Sequence, residues 1–178
     1  MLEFIGTCFD PDDGGYRYLS ECNPVGQTCA LFEAVRNYMT QDCANNPNCD
    51  IASTYGWPMN NWCVGAVKNG GDLFGGMKSF NEDISSWDVS GMEDFTGMFD
   101  RAESFNSDIS GWDISNAQHA TFMFFGATSF NVNLCAWNQT FPYNNAGNIF
   151  YESGCTYTSN PVEADGGPFC VSTCKDEK

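Results

Sequence analysis

The residues able to do chemistry in this chain are ten cysteines, one histidine and two repeating columns of carboxylates. The cysteines form two clusters: Cys8, Cys22, Cys29, Cys43, Cys49 and Cys63, then Cys135, Cys155, Cys170 and Cys174. No Cys-x-x-Cys pair occurs, and His119 alone cannot complete a Cys/His zinc set, so disulfides are the expected chemistry. They imply an oxidising, secreted setting. Their connectivity stays open, with pairing inside each cluster as the expectation.

The carboxylates recur at a fixed interval. Asp83 and Asp108 form one column, continued by Asn133; Asp88 and Asp113 form another, continued by Asn138. If successive units lie at a strand spacing of about 4.8 Å, paired carboxylates repel by roughly 1 kcal/mol in water and several times that in a less polar setting. Such columns must face solvent, accept hydrogen bonds from nearby serines and amides, or hold a cation. Calcium wants six to eight oxygens at a sharp loop, and no EF-hand or nonapeptide string occurs. No metal is therefore expected, with calcium at Asp83 and Asp108 the minor reading. His119 has no G-x-S-x-G or H-E-x-x-H string around it, so neither catalytic residues nor a cofactor are expected, and the chain reads as a non-enzyme. Asn138-Gln-Thr140 is a glycosylation sequon and makes Asn138 the candidate acceptor.

What positions these residues is a repeat. Trp62, Trp87, Trp112 and Trp137 stand 25 residues apart. Around them Met59, Ile84, Ile109 and Leu134 form a column, as do Phe74, Phe99 and Phe124, and Asn81, Asn106 and Asn131. After Trp137 the register slips by one, so that Ile149-Phe150 takes the place of Met123-Phe124. The string Ile84-x-x-Trp87-x-Val89-x-x-Met92 reads as the leucine-rich-repeat pattern with other apolar residues substituted. Alternation at Trp87 and Val89 predicts a short strand, and Met92-x-x-Phe95-x-x-Met98-Phe99-x-x-Ala102 predicts a helix-like outer segment. The expected fold is an α/β solenoid: a short leucine-rich-repeat-like stack of about four units, with the tryptophans stacked rung on rung and disulfide-rich caps at both ends. Residues 1–58 form the first cap, with turn material at Pro11-Asp-Asp-Gly-Gly15 and an amphipathic helix within Thr28 to Asp42. Residues 59–150 carry the repeats and 151–178 the second cap. The Asn81, Asn106 and Asn131 ladder is expected to satisfy backbone groups at the bend inside the coil.

Composition narrows the function. Of 178 residues, 42% are hydrophobic and 15% aromatic, which excludes a disordered chain; 23 acids against 7 bases give a net charge of −16. Nucleic acid and anionic membrane surfaces call for clustered Lys and Arg, so neither is an expected partner. No apolar run long enough to span a bilayer occurs, and the opening Met-Leu-Glu-Phe-Ile-Gly does not read as a signal peptide. A secreted protein would have this chain as a mature piece or an excised segment.

The strings Ser-Phe-Asn-x-Asp-Ile-Ser-x-Trp-Asp-Val/Ile-Ser, followed by Met-Phe-x-x-Ala, resemble the BspA-like leucine-rich repeat of bacterial and microalgal surface proteins. Asn131-Val-Asn-Leu-Cys135-Ala-Trp, Ile149-Phe-Tyr-Glu-Ser-Gly-Cys155 and Gly-Pro-Phe-Cys170 extend the similarity over about residues 55–174. The resemblance implies a place at a cell surface or in an extracellular layer, with adhesion or matrix building as the role, and brings no catalytic residues. The third unit departs from it, with Asn133 and Asn138 in place of both aspartates.

On these grounds the expected function is an extracellular structural or adhesive module acting by protein–protein contact, with assembly into a filament or surface layer as one form of it. The partners would be other proteins or copies of itself. The runner-up is recognition of a glycan or peptide on the strand face, at Ser86, Asp88, Ser90, Asp113, Ser115 and Asn138.

Overall fold

The computed structural model describes residues 30–62, 64, 65 and 67–175. The expected turn at 11–15 and Cys8, Cys22, Cys29 and Cys63 lie outside them. Two helices open the described chain. In α1 (Ala30–Thr40), Leu31, Ala34, Val35 and Tyr38 are buried along one face. The shorter α2 (Asp50–Tyr55) begins where the Cys49 sulfur accepts the Ala52 amide, and ends at Gly56 with φ 97°. Tyr38 joins this region to the repeats. Its hydroxyl donates to Glu82 at 3.3 Å and its ring meets Trp62 edge-on at 5.6 Å.

The repeats do stack, but not as an α/β solenoid. No β-strand forms among the described residues; parallel pairing is reduced to the single bridges Asn69–Asp94 and Asp94–His119. The expected strand at Trp87 and Val89 is replaced by tight turns, with the Trp87 amide donating to Ile84 and the Met92 amide to Val89. The expected helical outer segment is a run of turns as well. In residues 69–76 every second amide leaves its own coil: Gly70, Asp72, Phe74 and Gly76 donate to the carbonyls of Asp94, Thr96, Met98 and Asp100 at 2.7–2.9 Å. The amides between them close local turns, Leu73 onto Gly70 and Gly75 onto Asp72. The same scheme carries Phe95, Gly97, Phe99 and Arg101 onto His119, Thr121, Met123 and Phe125. A helix sends every amide back along its own chain, so apolar residues at helical spacing mimicked one here without forming it.

Left-handed backbone at fixed columns makes this possible. Asp72, Gly97, Phe122 and Asn148 have φ of 55°, 61°, 58° and 54°; Gly76, Arg101, Gly126 and Glu152 have 74°, 54°, 66° and 58°. Two reversals per coil turn the chain about its axis and aim alternate amides at the next coil. For a side-chain-bearing residue that conformation costs roughly 1–2 kcal/mol. The inter-coil hydrogen bonds and the core offset it.

That core is a phenylalanine ladder, not a tryptophan one. Phe74, Phe99, Phe124 and Phe150 stack at 5.3, 5.5 and 5.8 Å, and Phe80, Phe105 and Phe130 stack beside them at 5.7 Å. Within each coil the two columns meet face to face, as in Phe99–Phe105 at 3.9 Å. All seven rings are fully buried, each contributing on the order of 1.5–3 kcal/mol of transfer free energy. The tryptophans do not lie on one another. Trp87 and Trp112 are tilted against Phe74 and Phe99, and each indole N–H bonds to the preceding coil: Trp87 to the Met59 carbonyl at 2.9 Å, Trp112 to that of Ile84 at 3.1 Å.

The one-residue slip is visible in the bonding. Between the earlier coils the donor and acceptor are 24 residues apart; between residues 120–126 and 145–151 they are 25 apart, as in Phe124 to Ile149. The extra residue enters after the 3-10 turn Cys135–Trp137, in the segment that holds Phe141, Pro142 and Tyr143. Beyond it, Cys135–Cys174 and Cys155–Cys170 tie the last segment down, and Cys43–Cys49 links α1 to α2 at the other end. No helix of the described residues is long and apolar enough to cross a membrane.

Candidate interaction surfaces

With no strand, there is no strand face. The residues expected on it lie instead on the exposed corners of successive turns. Ser86, Asp88, Asp113 and Ser115 are exposed, while Ser90 and Asn138 are half-buried. The aspartates are engaged locally. One oxygen of Asp88 accepts the Ser90 amide at 3.0 Å and the Ser90 hydroxyl at 2.6 Å; Asp113 accepts the Ser115 amide at 2.9 Å. Asp83 and Asp108 cap their turns in the same way, onto the amides of Ser85 and Ser110 at 2.9 and 3.0 Å. An aspartate whose carboxylate accepts the backbone amide two residues on forms an Asx-turn, a local closure that competes with strand pairing.

These bonds stabilise the charged form. The Ser90, Ser110 and Ser115 hydroxyls, then their amides, hold Asp88, Asp108 and Asp113 below the ordinary carboxylate range, against a slight upward push from burial. The calcium reading at Asp83 and Asp108 gains no ligand set: among the described residues no three His, Cys, Asp or Glu side chains are placed to hold a metal ion.

The other columns fall as follows. Asn81, Asn106 and Asn131 are exposed, yet the side chains of the first two bridge coils: Asn81 Oδ1 accepts the backbone N–H of Asn106, and Asn106 Oδ1 that of Asn131, both at 2.8 Å. Trp62, Trp87, Trp112 and Trp137 are all buried. Trp137 differs in that its indole N–H finds no partner among the described residues. Asn138 follows the 3-10 turn, and its carbonyl accepts the Tyr143 hydroxyl at 2.9 Å. His119 is exposed, and its backbone carbonyl takes the Phe95 amide.

Three features escaped the sequence reading. On the outer arc, Arg101, Phe125 and Tyr151 form a stack, the guanidinium 5.6 Å from the Phe125 ring and Tyr151 5.5 Å from it on a neighbouring coil. Phe122 meets Phe125 edge-on at 5.6 Å; it is 40% exposed and Tyr151 50%, whereas most large apolar side chains among the described residues are buried. The signal was a change of type within a column, since Phe122 and Phe125 stand where the previous coil has Gly97 and Asp100.

Further back on the same arc the residues are acidic. The Asp72 carboxylate lies over Gly97, where any Cβ would collide with it. Burial first, then the neighbouring Asp100 and Asp94 charges, push Asp72 above its usual range. Burial also raises Asp100, partly countered by Arg101, and one of its oxygens is buried without a partner among the described residues.

The third feature is a cleft of about 370 Å³ where the inserted segment meets the preceding coil, lined by Ala117, Gln118, Pro142, Tyr143, Asn145 and Glu163, among others.

Residues 37–160 match the sequence profile of a family described as Mycoplasma protein of unknown function, DUF285. Comparison with curated proteins gives no match, and comparison with solved structures gives none.

Proposed function

This chain belongs to the DUF285 family, and from that premise we propose that it is an extracellular structural or adhesive module acting by protein–protein contact, with copies of itself as the foremost partner. The resemblance of its repeat string to that of BspA-like surface proteins supports this reading. The three disulfides among the described residues are consistent with a secreted or extracellular setting. The module works as a rigid display surface and carries out no reaction.

The observation that carries this reading is the exposed stack of Phe122, Phe125 and Tyr151 with Arg101. Aromatic residues and arginine are enriched where proteins meet, and they dominate the energy of such contacts. Here they interrupt an otherwise acidic surface, on an arc held in place by hydrogen bonds to the coils on either side. The glycan reading at Ser86, Asp88, Ser90, Asp113, Ser115 and Asn138 gains no support from the turn corners, where the carboxylates are already occupied by serines.

Sedimentation velocity over a wide concentration range tests the proposal. The full chain is expected to self-associate, and the double variant Phe122→Asn, Tyr151→Ser to remain monomeric. Asparagine is apt at 122 because Asn148 already takes the same left-handed conformation in the next coil. Wild type and variant that stay equally monomeric at every concentration would count against self-contact.

A further inference from the structure

Beyond that reading, we propose that the cleft between Gln118 and Tyr143 is a binding site for a neutral saccharide. It exists because the repeat changes there. Val67, Met92 and Ala117 occupy one column. Val67 and Met92 are buried, whereas the smaller Ala117 leaves a hollow that the inserted segment spans with Pro142 and Tyr143. The volume of about 370 Å³ falls within the range of roughly 300–1,000 Å³ common to small-molecule sites.

The lining decides the class of ligand. Tyr143 supplies an aromatic ring, set edge-on to Phe141 at 5.1 Å and to Phe169 at 6.1 Å, and its hydroxyl is committed to the Asn138 carbonyl. The ring is thereby fixed in place before any ligand arrives. Gln118 and Asn145 are fixed too: Gln118 Nε2 donates to Glu93 at 2.9 Å and Asn145 Nδ2 to the Gln118 carbonyl at 3.0 Å. Among the described residues the Asn144 amide and the Glu163 carboxylate, which also line the cleft, have no hydrogen-bond or ion-pair partner.

A half-buried aromatic ring beside an unspent amide and an unspent carboxylate matches a pyranose. Its C–H face packs on a ring, and its hydroxyls both donate and accept. An anionic ligand would meet the Glu163 charge in a chain of net charge −16. A metal ion would find one carboxylate where it needs several ligands. The site is independent of the aromatic stack on the outer arc, so either proposal can fail alone.

The test titrates the full chain with neutral cello-, xylo-, manno- and chito-oligosaccharides, followed by nuclear magnetic resonance shifts. The structure predicts that at least one series binds with shifts at residues 117–118 and 141–145, and that Asn144→Ala and Glu163→Ala each weaken it about tenfold or more. Both substitutions are at exposed positions, and an unchanged melting temperature verifies the fold. Ser85→Ala, on an exposed turn corner, should leave the affinity unchanged. The proposal is overturned if none of the four series binds at millimolar concentration, if the two cleft variants bind as tightly as wild type, or if only charged sugars or peptides shift the cleft residues.

Discussion

The indole N–H of Trp112 donates to the carbonyl oxygen of Ile84 at 3.1 Å, 28 residues earlier. One side chain thus fills the core of its own coil and closes a turn of the coil before it. Trp87 does the same to Met59. Trp137, the last of the series, is buried with its N–H unpartnered among the described residues.

The series makes a comparison available. Trp112→Phe removes ring volume and one of the two hydrogen bonds accepted by the Ile84 carbonyl, which keeps the Trp87 amide, so it is expected to cost about 2–4 kcal/mol, the sum of a packing loss and a lost hydrogen bond. Trp137→Phe loses volume but no hydrogen bond, and should cost at least about 1 kcal/mol less. Urea denaturation of both variants measures the difference; equal costs would mean that the clamp contributes nothing.

Gly97→Ala should destabilise by more than the roughly 1–2 kcal/mol of its left-handed backbone alone, because the new Cβ meets the Asp72 carboxylate. Combining it with Asp72→Ala should recover part of the loss. Thermal melting of the single and double variants reads the coupling.

The aspartates predict two opposing pH effects. Asp72 and Asp100 have raised pKa values when folded, so the folded state binds protons more readily there. Their protonation favours the fold as pH falls through the folded values, and the ionised pair weakens it at neutral pH. Asp72→Asn and Asp100→Asn are each expected to stabilise at pH 7, by no more than about 1 kcal/mol after solvent screening, and to flatten the stability curve in the weakly acidic range. Asp88, Asp108 and Asp113 have lowered values. Their contribution is present above the unfolded carboxylate pKa and is lost as pH falls through the folded values. Melting temperatures of wild type and the two Asn variants across pH 3–8 separate the two sets.

Much of the stack was legible in the sequence, because a fixed period and repeated apolar columns follow directly from coils that bury the same positions. The one-residue slip at Ile149-Phe150 was legible for the same reason. The backbone was not. Apolar residues at three- and four-residue spacing suit a helix and a run of alternating turns equally well. What distinguishes the two is left-handed φ at Asp72, Phe122, Arg101 and Glu152, residue types that do not advertise it; only Gly76, Gly97 and Gly126 hinted at it. Likewise Asp-x-Ser at 83–85, 88–90, 108–110 and 113–115 reads as a polar strand face or as a series of Asx-turns, and local hydrogen bonding chose the turns. The aromatic stack and the cleft arise where the columns depart from themselves, at Phe122, Phe125, Ala117 and Tyr143.

The disulfides of the last segment close loops of different length, with sequence separations of 15 for Cys155–Cys170 and 39 for Cys135–Cys174. On loop-closure entropy they contribute about 3 and 4 kcal/mol respectively. Replacing both cysteines of either pair with serine should lower the unfolding free energy accordingly, with the 135–174 pair the costlier loss. Calorimetry under non-reducing conditions reads both.

The central claim, action by protein–protein contact outside the cell, is most directly tested by electron imaging of the protein as isolated from its native source without denaturation. Particles are expected in which copies of this chain contact one another or a fixed neighbour through the arc bearing Phe122, Phe125 and Tyr151. Free monomers with that arc bare to solvent, at native concentration, would contradict it.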